Sequence, residues 1–433
     1  MNSIGIRHED KYKLERRCPI VPADIKELSE GHDIPFFIEA SEKRIFKDEE
    51  FEEVGAKVVS SLDDCDVIMG VKEMPVDYFK EGKCYVFFSH VIKAQPYNMP
   101  MLKNLLASGA TLIDYEKVAD EYGRRLIFFG RYAGLAGMIN TLWSMGQRYK
   151  TMGIENPFSS IKQSYEYDSL KEAQDAISSV GDSIKRNGLP EQLPGIVMAV
   201  TGDGNVSNGA LEIAKLLPVI NISARELTAL SKAKKDPNTL YLVNITAADY
   251  MHHKQDKPFD LQDYIAHPEN YDNHFETLLP FINVLVNGIY WDERYPRLVT
   301  KKWLGENFKE SFFQLDVIGD ITCDPLGSIE CTLEATTIEE PVFIYQTDSE
   351  THKMGFDGQG VCVMAVDILP SELPREASEH FSSALKPYMK QLAETDFSKP
   401  FEELNLPDVF KRAVISHQGK LTPDYAYLEE AVG

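Results

Sequence analysis

Positive charge is scarce in this chain. Its 433 residues carry 45 lysines and arginines against 68 aspartates and glutamates, a formal charge of -23. So acidic a molecule repels polyanions, which excludes duplex nucleic acid and anionic membrane surfaces as main partners. A local basic pocket for a small anion is not excluded. Long apolar runs are also missing: no segment supplies the ~18 uninterrupted apolar residues of a membrane-spanning helix. The opening MNSIGIRHEDKYKLERR puts charges where a secretory signal needs an apolar stretch. Cysteine is sparse. Cys18, Cys65, Cys84, Cys323, Cys331 and Cys362 form no C-x-x-C pair and no crowded framework. Reduced thiols and a cytoplasmic location are therefore expected. Zinc-like spacing is absent, and adjacent His252 and His253 diverge if they lie in a strand, so no required metal is expected.

What is present reads as a soluble folded protein, with 43% hydrophobic and 26% charged residues. The length exceeds one ordinary core and implies two domains. The first half alternates strand and helix patterns. Residues 34–40 (IPFFIEA), 56–61, 65–71, 84–89 (CYVFFS) and 110–116 read as strands, and a helix pattern runs over 100–108. Near-continuous apolar strands of this kind belong to a parallel sheet covered by helices on both faces. Residues 131–150 read as one long helix that leaves the first domain. Further strands are expected at 195–200, 219–223, 239–245, 281–291, 312–324 and 360–370, and helices over 169–186 and 374–393. The remaining tail reads as helical turns.

The sharpest local signal is GIVMAV (195–200) running into TGDGNVSNGALEIAKLLP. Gly202, Gly204 and Gly209 give a strand, a glycine turn and a helix. Glycine permits the tight turn and a close approach of backbone to a pyrophosphate, which the helix amides then face. Asn205 and Ser207 either cap the helix or contact phosphate; Val206 lies between them. A ribose-reading residue is expected at the end of the following strand, where the sequence is NISARELTAL. Glu226 there would accept bonds from a free ribose, and Arg225 would balance a 2'-phosphate. The lack of an acidic residue just before Ser223 favours NADP(H) over NAD(H).

Several strings resemble one family: ERRCPIVP (15–22), IMGVKEMP (68–75), FFSHVIKAQ (87–95), YGRRLIFFGRYAG (122–134), TGDGNVSNGA (201–210) and NGIYWDERYPRL (287–298). In order and extent the chain is similar to the lysine–ketoglutarate reductase and saccharopine dehydrogenase family, related to alanine dehydrogenase and the transhydrogenase fold. The likeness is greatest to the reductase portion, often fused to a second enzyme in animals and plants; the chain stops before any such partner. The resemblance implies two Rossmann-like α/β domains with parallel-rich sheets and an interdomain cleft. Residues 1–135 with 335–433 would form the substrate-side domain, and 136–334 the dinucleotide-binding domain. It also implies a catalytic pair, Lys72 and His90. Arg17, Lys93, Gln95, Arg125 and Phe129 would face substrate. Arg124, Asp320 and Asp324 would lie near the cofactor.

The residues themselves suit these roles. Lys72 and His90 each follow an apolar strand, and open α/β sheets place ligand sites at strand carboxyl ends. Lysine shuttles a proton once burial or charge lowers its pKa, and histidine titrates near neutrality. Guanidinium groups hold carboxylates by paired bonds. Each arginine equally suits ordinary pairing with Glu15, Glu116 or Glu121. The implied reaction condenses L-lysine with 2-oxoglutarate and reduces the product to L-saccharopine. The alternatives are NAD-dependent oxidation of saccharopine or a related amino acid, and a non-catalytic NADP(H)-responsive binding module. Nothing in the sequence sets the oligomeric state.

Overall fold

The structure, a computed structural model, describes residues 1–433. It divides into two compact units, one of residues 1–129 with 374–433 and one of residues 130–373. Both are α/β with mostly parallel eight-stranded sheets.

In the first unit, six parallel strands lie in the order Lys57–Val59, Phe36–Glu39, Ile4–Ile6, Val67–Met69, Cys84–Phe87, Thr111–Asp114. Antiparallel Val414–His417 and then Lys420–Leu421 complete the sheet. The chain starts in the middle, winds outward one way and then the other. The reversal falls between Ile4–Ile6 and Val67–Met69, and doubly wound sheets bind ligands at the carboxyl ends of such a pair. Side-chain alternation divides the core. Ile4, Ile6, Val67, Met69 and Val86 face helix Pro22–His32 and the returning helices Pro374–Leu385 and Met389–Glu394. Ile68, Tyr85, Phe87 and Leu112 face helix Met99–Ser108 and the chain end at Tyr425 and Leu428. Each fully buried large side chain contributes about 1.5–3 kcal/mol, so the returning tail is an integral part of this core.

In the second unit, the order is Thr351–Met354, Val342–Gln346, Val361–Met364, Val317–Asp320, Val284–Asn287, Val197–Thr201, Leu240–Ile245, Val219–Ile222. Only Val342–Gln346 runs against the rest, antiparallel both to Val361–Met364 and to its hairpin partner Thr351–Met354. Two expectations change here. The strand after the glycine-turn helix, Val219–Ile222, is not next to the glycine strand but at the sheet edge. Leu240–Ile245 takes the inner place because it is longer and almost wholly buried, whereas Val219–Ile222 is half exposed. The chain also returns later than expected. Val361–Met364, all buried, pairs with Val317–Asp320 and carries the hairpin with it, so residues 335–373 belong to the second unit.

Helix Gly130–Thr151 also belongs wholly to the second unit and packs along helix Asn205–Ala214. The approach is so close that a Cβ on Gly134 would sit 1.9 Å from the Val206 carbonyl oxygen, and one on Gly209 would sit 2.2 Å from that of Arg131.

Candidate active site

The first unit gathers its titratable groups at the strand reversal. The loop leaving Ile4–Ile6 brings Glu9, Lys11, Glu15 and Arg17. The loop leaving Val67–Met69 brings Lys72 and Glu73, and the one leaving Cys84–Phe87 brings His90. Glu73 organises them. Its Oε1 accepts from Lys11 Nζ at 2.5 Å and pairs with His90 Nδ1 at 2.7 Å. Its Oε2 is buried without a hydrogen-bond partner. Burial alone would raise this carboxyl, but His90 and Lys11 outweigh it and hold it at about 2. With ionised Glu73 on Nδ1, that nitrogen carries the proton, which leaves Nε2 as the nitrogen available to a further partner. The ring is further set by a left-handed backbone at His90 (φ 51°), by Asn98 Nδ2 donating to its carbonyl, and by Phe88 stacked beside it.

Lys72 is half-buried. Its amine lies 5.7 Å from the centre of the Tyr12 ring, and its charge helps hold the Glu15 carboxyl down. The two predicted catalytic residues therefore stand on adjoining loops, linked through Glu73. By sequence alone Glu73 suits tuning of Lys72, holding a neighbouring arginine or ordinary surface pairing; the structure gives it Lys11 and His90 as partners instead. Glu15 pairs with Arg17, as its sequence allows, but Glu9 and Lys11 were missed because the strand before them, Ile-Gly-Ile, is too short to stand out.

Arg17 is buried and forms two bonds to Glu15, 2.8 Å from Nε and 2.6 Å from Nη2. Its guanidinium lies over the Phe129 ring at 4.2 Å, and that ring stacks on Phe381. The carboxylate and the ring together fix the direction of the Arg17 guanidinium. Arg124 and Arg125 differ. Both are exposed on the loop after Thr111–Asp114 and spent locally, Arg124 on Asp120 and Arg125 on Glu116. Arg125 lines a cavity of about 790 Å³ with Glu116, Arg412 and Tyr425, which contains neither Lys72 nor His90. That cavity and the titratable cluster are thus separate features of the first unit. Lys93 and Gln95 are exposed on the His90 loop.

In the second unit, the glycine turn separates into two kinds of residue. Gly202 takes a left-handed conformation (φ 87°), and its amide donates to Ile245. Gly204 is the open glycine: nothing lies within 4 Å of where its Cβ would be, and no side chain caps the helix that starts at exposed Asn205. Half-buried Val206 follows. Bare amides at a helix start beside an open glycine fit a pyrophosphate. Ser207 and Gly209 do not face that space. The Ser207 hydroxyl is buried and donates to the Thr201 carbonyl at 2.7 Å, and Gly209 serves the helix contact described above.

Asp320 also proves to be framework. It is 1% exposed, and both oxygens are filled by Thr332, Asn287 and Thr322. Asn287 in turn accepts from Thr201, so this network ties the carboxyl ends of three neighbouring strands. Asp324 is exposed in the next turn, between the left-handed Cys323 and Leu326. Arg225 is exposed beyond the edge strand, two strands from the glycine turn, and Glu226 is spent on capping Ser223. The strand that does adjoin the glycine strand ends at Ile245–Thr246. Its nearest carboxylate, Asp249, caps Thr246 through that residue's amide and hydroxyl.

The Glu73 cluster has a measurable signature. A carboxyl held at about 2 stabilises the fold above its ordinary value of 4.5, and that stability is lost as pH falls through 2. Wild type should exceed Glu73→Gln by about 3 kcal/mol at pH 7, with the gap closing in acid. Denaturant titrations at a series of pH values measure it.

Comparison with known proteins adds the following. A model of the alanine dehydrogenase/PNT N-terminal domain matches residues 5–136, and one of the C-terminal domain matches residues 194–424. An alpha-aminoadipic semialdehyde synthase of Arabidopsis thaliana is 39% identical over 98% of this chain, which spans only 41% of that protein. A saccharopine dehydrogenase [NAD(+), L-lysine-forming] of Emericella nidulans is 27% identical over 95% of this chain and 97% of its own length. Among solved structures, an L-alanine dehydrogenase superposes with a TM-score of 0.63 over the full length of both chains at 18% identity, a likeness of fold.

Proposed function

Because the chain belongs to the alanine dehydrogenase/PNT family, we propose that it is a nicotinamide-dependent reductase joining L-lysine to 2-oxoglutarate to give L-saccharopine. The observation that carries this reading is the Lys72–Glu73–His90 cluster at the strand reversal of the first sheet. The ε-amine of lysine attacks the ketone, the carbinolamine loses water, and the resulting iminium is reduced to a secondary amine. Lysine, 2-oxoglutarate, NADPH and a proton give saccharopine, NADP⁺ and water. Lys72 takes the proton that the attacking amine must shed. His90 Nε2 takes up the proton that the overall reaction consumes and delivers it to the departing oxygen, with the ring held by Glu73 on the other nitrogen. Arg17, oriented by Glu15 and Phe129, holds a carboxylate. Lys93 and Gln95, exposed on the His90 loop, are left to meet the remaining carboxylates, since Arg125 is spent on Glu116.

The bound dinucleotide would supply hydride. Gly202 and Gly204, with the amides of Asn205 and Val206, would hold its pyrophosphate. NADP(H) is the favoured form, since Ile245–Thr246 presents no carboxylate against a 2'-phosphate and Asp249 is turned to capping. No helix is long and apolar enough to cross a membrane. A cytoplasmic location agrees with six free, buried cysteines.

The second reading is NAD-dependent oxidation of saccharopine, favoured by the likeness to the Emericella protein over nearly its whole length. Initial rates of NADPH and NADH consumption with lysine plus 2-oxoglutarate, against pyruvate plus ammonia, separate these. The proposal requires fast NADPH oxidation only with the first pair. A preference for NADH, or for pyruvate and ammonia, would overturn the corresponding part of it, and binding without turnover would leave a cofactor-responsive module.

A further inference from the structure

Glu9 plays no part in the chemistry above, yet it is 4% exposed at the strand reversal. Its Oε1 accepts the Val71 amide at 2.6 Å and its Oε2 the Lys72 amide at 2.9 Å. Those amides belong to the loop that presents Lys72, while Glu9 belongs to the loop leaving the neighbouring strand. A Cβ on Gly70 would lie 3.3 Å from Glu9 Oε1, so the carboxylate rests directly against that backbone.

We propose that Glu9 is a positioning residue: it bridges the two strands at the reversal and clamps the Val71–Lys72 backbone, fixing the point from which the lysine side chain departs. The proposal rests on the reading of Lys72 as an acid–base group. Two amide bonds to one carboxylate hold a loop far better than neutral acceptors, because charge-assisted bonds are roughly twice as strong. Protonation turns one oxygen into a hydroxyl, a poorer acceptor, and removes the charge that strengthens both amide bonds.

The groups that sense Glu9 come from every loop around it. Glu15, Arg7 and Cys18 lie on its own segment, Arg44 after the strand Phe36–Glu39, Lys72 after Val67–Met69, and Tyr115 after Thr111–Asp114. Burial and then the Glu15 charge push the Glu9 carboxyl up, the two amides and Arg7 pull it back, and it settles at about 7. The clamp therefore changes strength within the working pH range.

Val71–Lys72 is the chain's sole Val-Lys pair, so carbonyl-¹³C valine with ¹⁵N-lysine isolates the Lys72 amide by NMR. The expected result in wild type is one titration of the Lys72 amide proton shift between about pH 5.5 and about 8.5, absent in Glu9→Gln. Glu9→Gln should also lower kcat about tenfold, the loss of one charge-assisted bond, with NADPH affinity unchanged. Glu9→Asp, charged but one methylene short, should fall between. A Lys72 amide shift that is the same in wild type and Glu9→Gln at every pH, or a folded Glu9→Gln with wild-type kcat, overturns the clamp. Should Glu9→Gln fail to fold, Glu9→Asp takes its place in the same comparison. That titration needs no turnover, so it stands apart from the Lys72 reading, which full activity in Lys72→Met would overturn.

Discussion

Lys72→Met is expected to lower kcat for saccharopine formation by about 10³ while leaving NADPH binding within twofold. General acid–base groups contribute ~10²–10⁴ to rate, and methionine keeps the length of the side chain without its proton. The backbone of residue 72 is held by Glu9 through its amide, which methionine retains. The loop should therefore keep its shape, and the loss reports chemistry rather than folding. The glycine turn lies in the other unit, so titrating the variant with NADPH by fluorescence supplies the control. A drop in cofactor affinity matching the drop in kcat would show that residue 72 matters for structure alone.

Gly134→Ala should have the largest effect on stability. Its Cβ would lie 1.9 Å from the Val206 carbonyl oxygen and 2.8 Å from the Ala210 amide nitrogen. Both are helix backbone, which cannot swing aside as a flexible side chain does. The two helices must separate, and the partner helix is the one whose start carries the glycine turn. Overpacking costs ~1–3 kcal/mol when side chains can yield; with backbone on both sides we expect about 3 kcal/mol or more, a Tm lowered by ~6–12 °C, and NADPH binding weakened at least tenfold. Gly209→Ala should behave alike, since it meets the Arg131 carbonyl from the other side. Gly204→Ala is the contrasting case. It has open space around it and an ordinary φ of -78°. It should leave Tm unchanged and weaken NADPH binding only. Calorimetry with and without NADPH reads all three.

The fold was largely legible where apolar runs are continuous. CYVFFS, GIVMAV and the strands around them are buried where a parallel sheet demands it. It was not legible where the strand is short or the competition is between strands. Ile4–Ile6 is only Ile-Gly-Ile, followed at once by charges, yet it is an interior strand of its sheet and its exit loop supplies Glu9, Glu15 and Arg17. Val414–His417 sits in a tail that reads as helical turns, and only its pairing with Thr111–Asp114 makes it a strand. Strand order is a tertiary outcome. The better-buried Leu240–Ile245 displaced Val219–Ile222, and this moved the ribose-reading position away from Arg225.

The site was legible in part for the same reason. Lys72 and His90 follow clear strands, so their placement could be read from the sequence. Glycine and polar motifs do not reveal which members face a ligand. Gly209, Ser207 and Asp320 match the right strings but are used up in packing and hydrogen bonds. Arg124 and Arg125 are paired within their own loop.

The central claim is that this chain reduces the lysine–2-oxoglutarate adduct. It is tested most directly by running the reaction with NADPH deuterated at the nicotinamide C4 position and examining the product by mass spectrometry. The account predicts saccharopine carrying one deuterium, on the carbon that was the ketone of 2-oxoglutarate. Folded, cofactor-binding protein that yields no saccharopine, or saccharopine without that label, would contradict it.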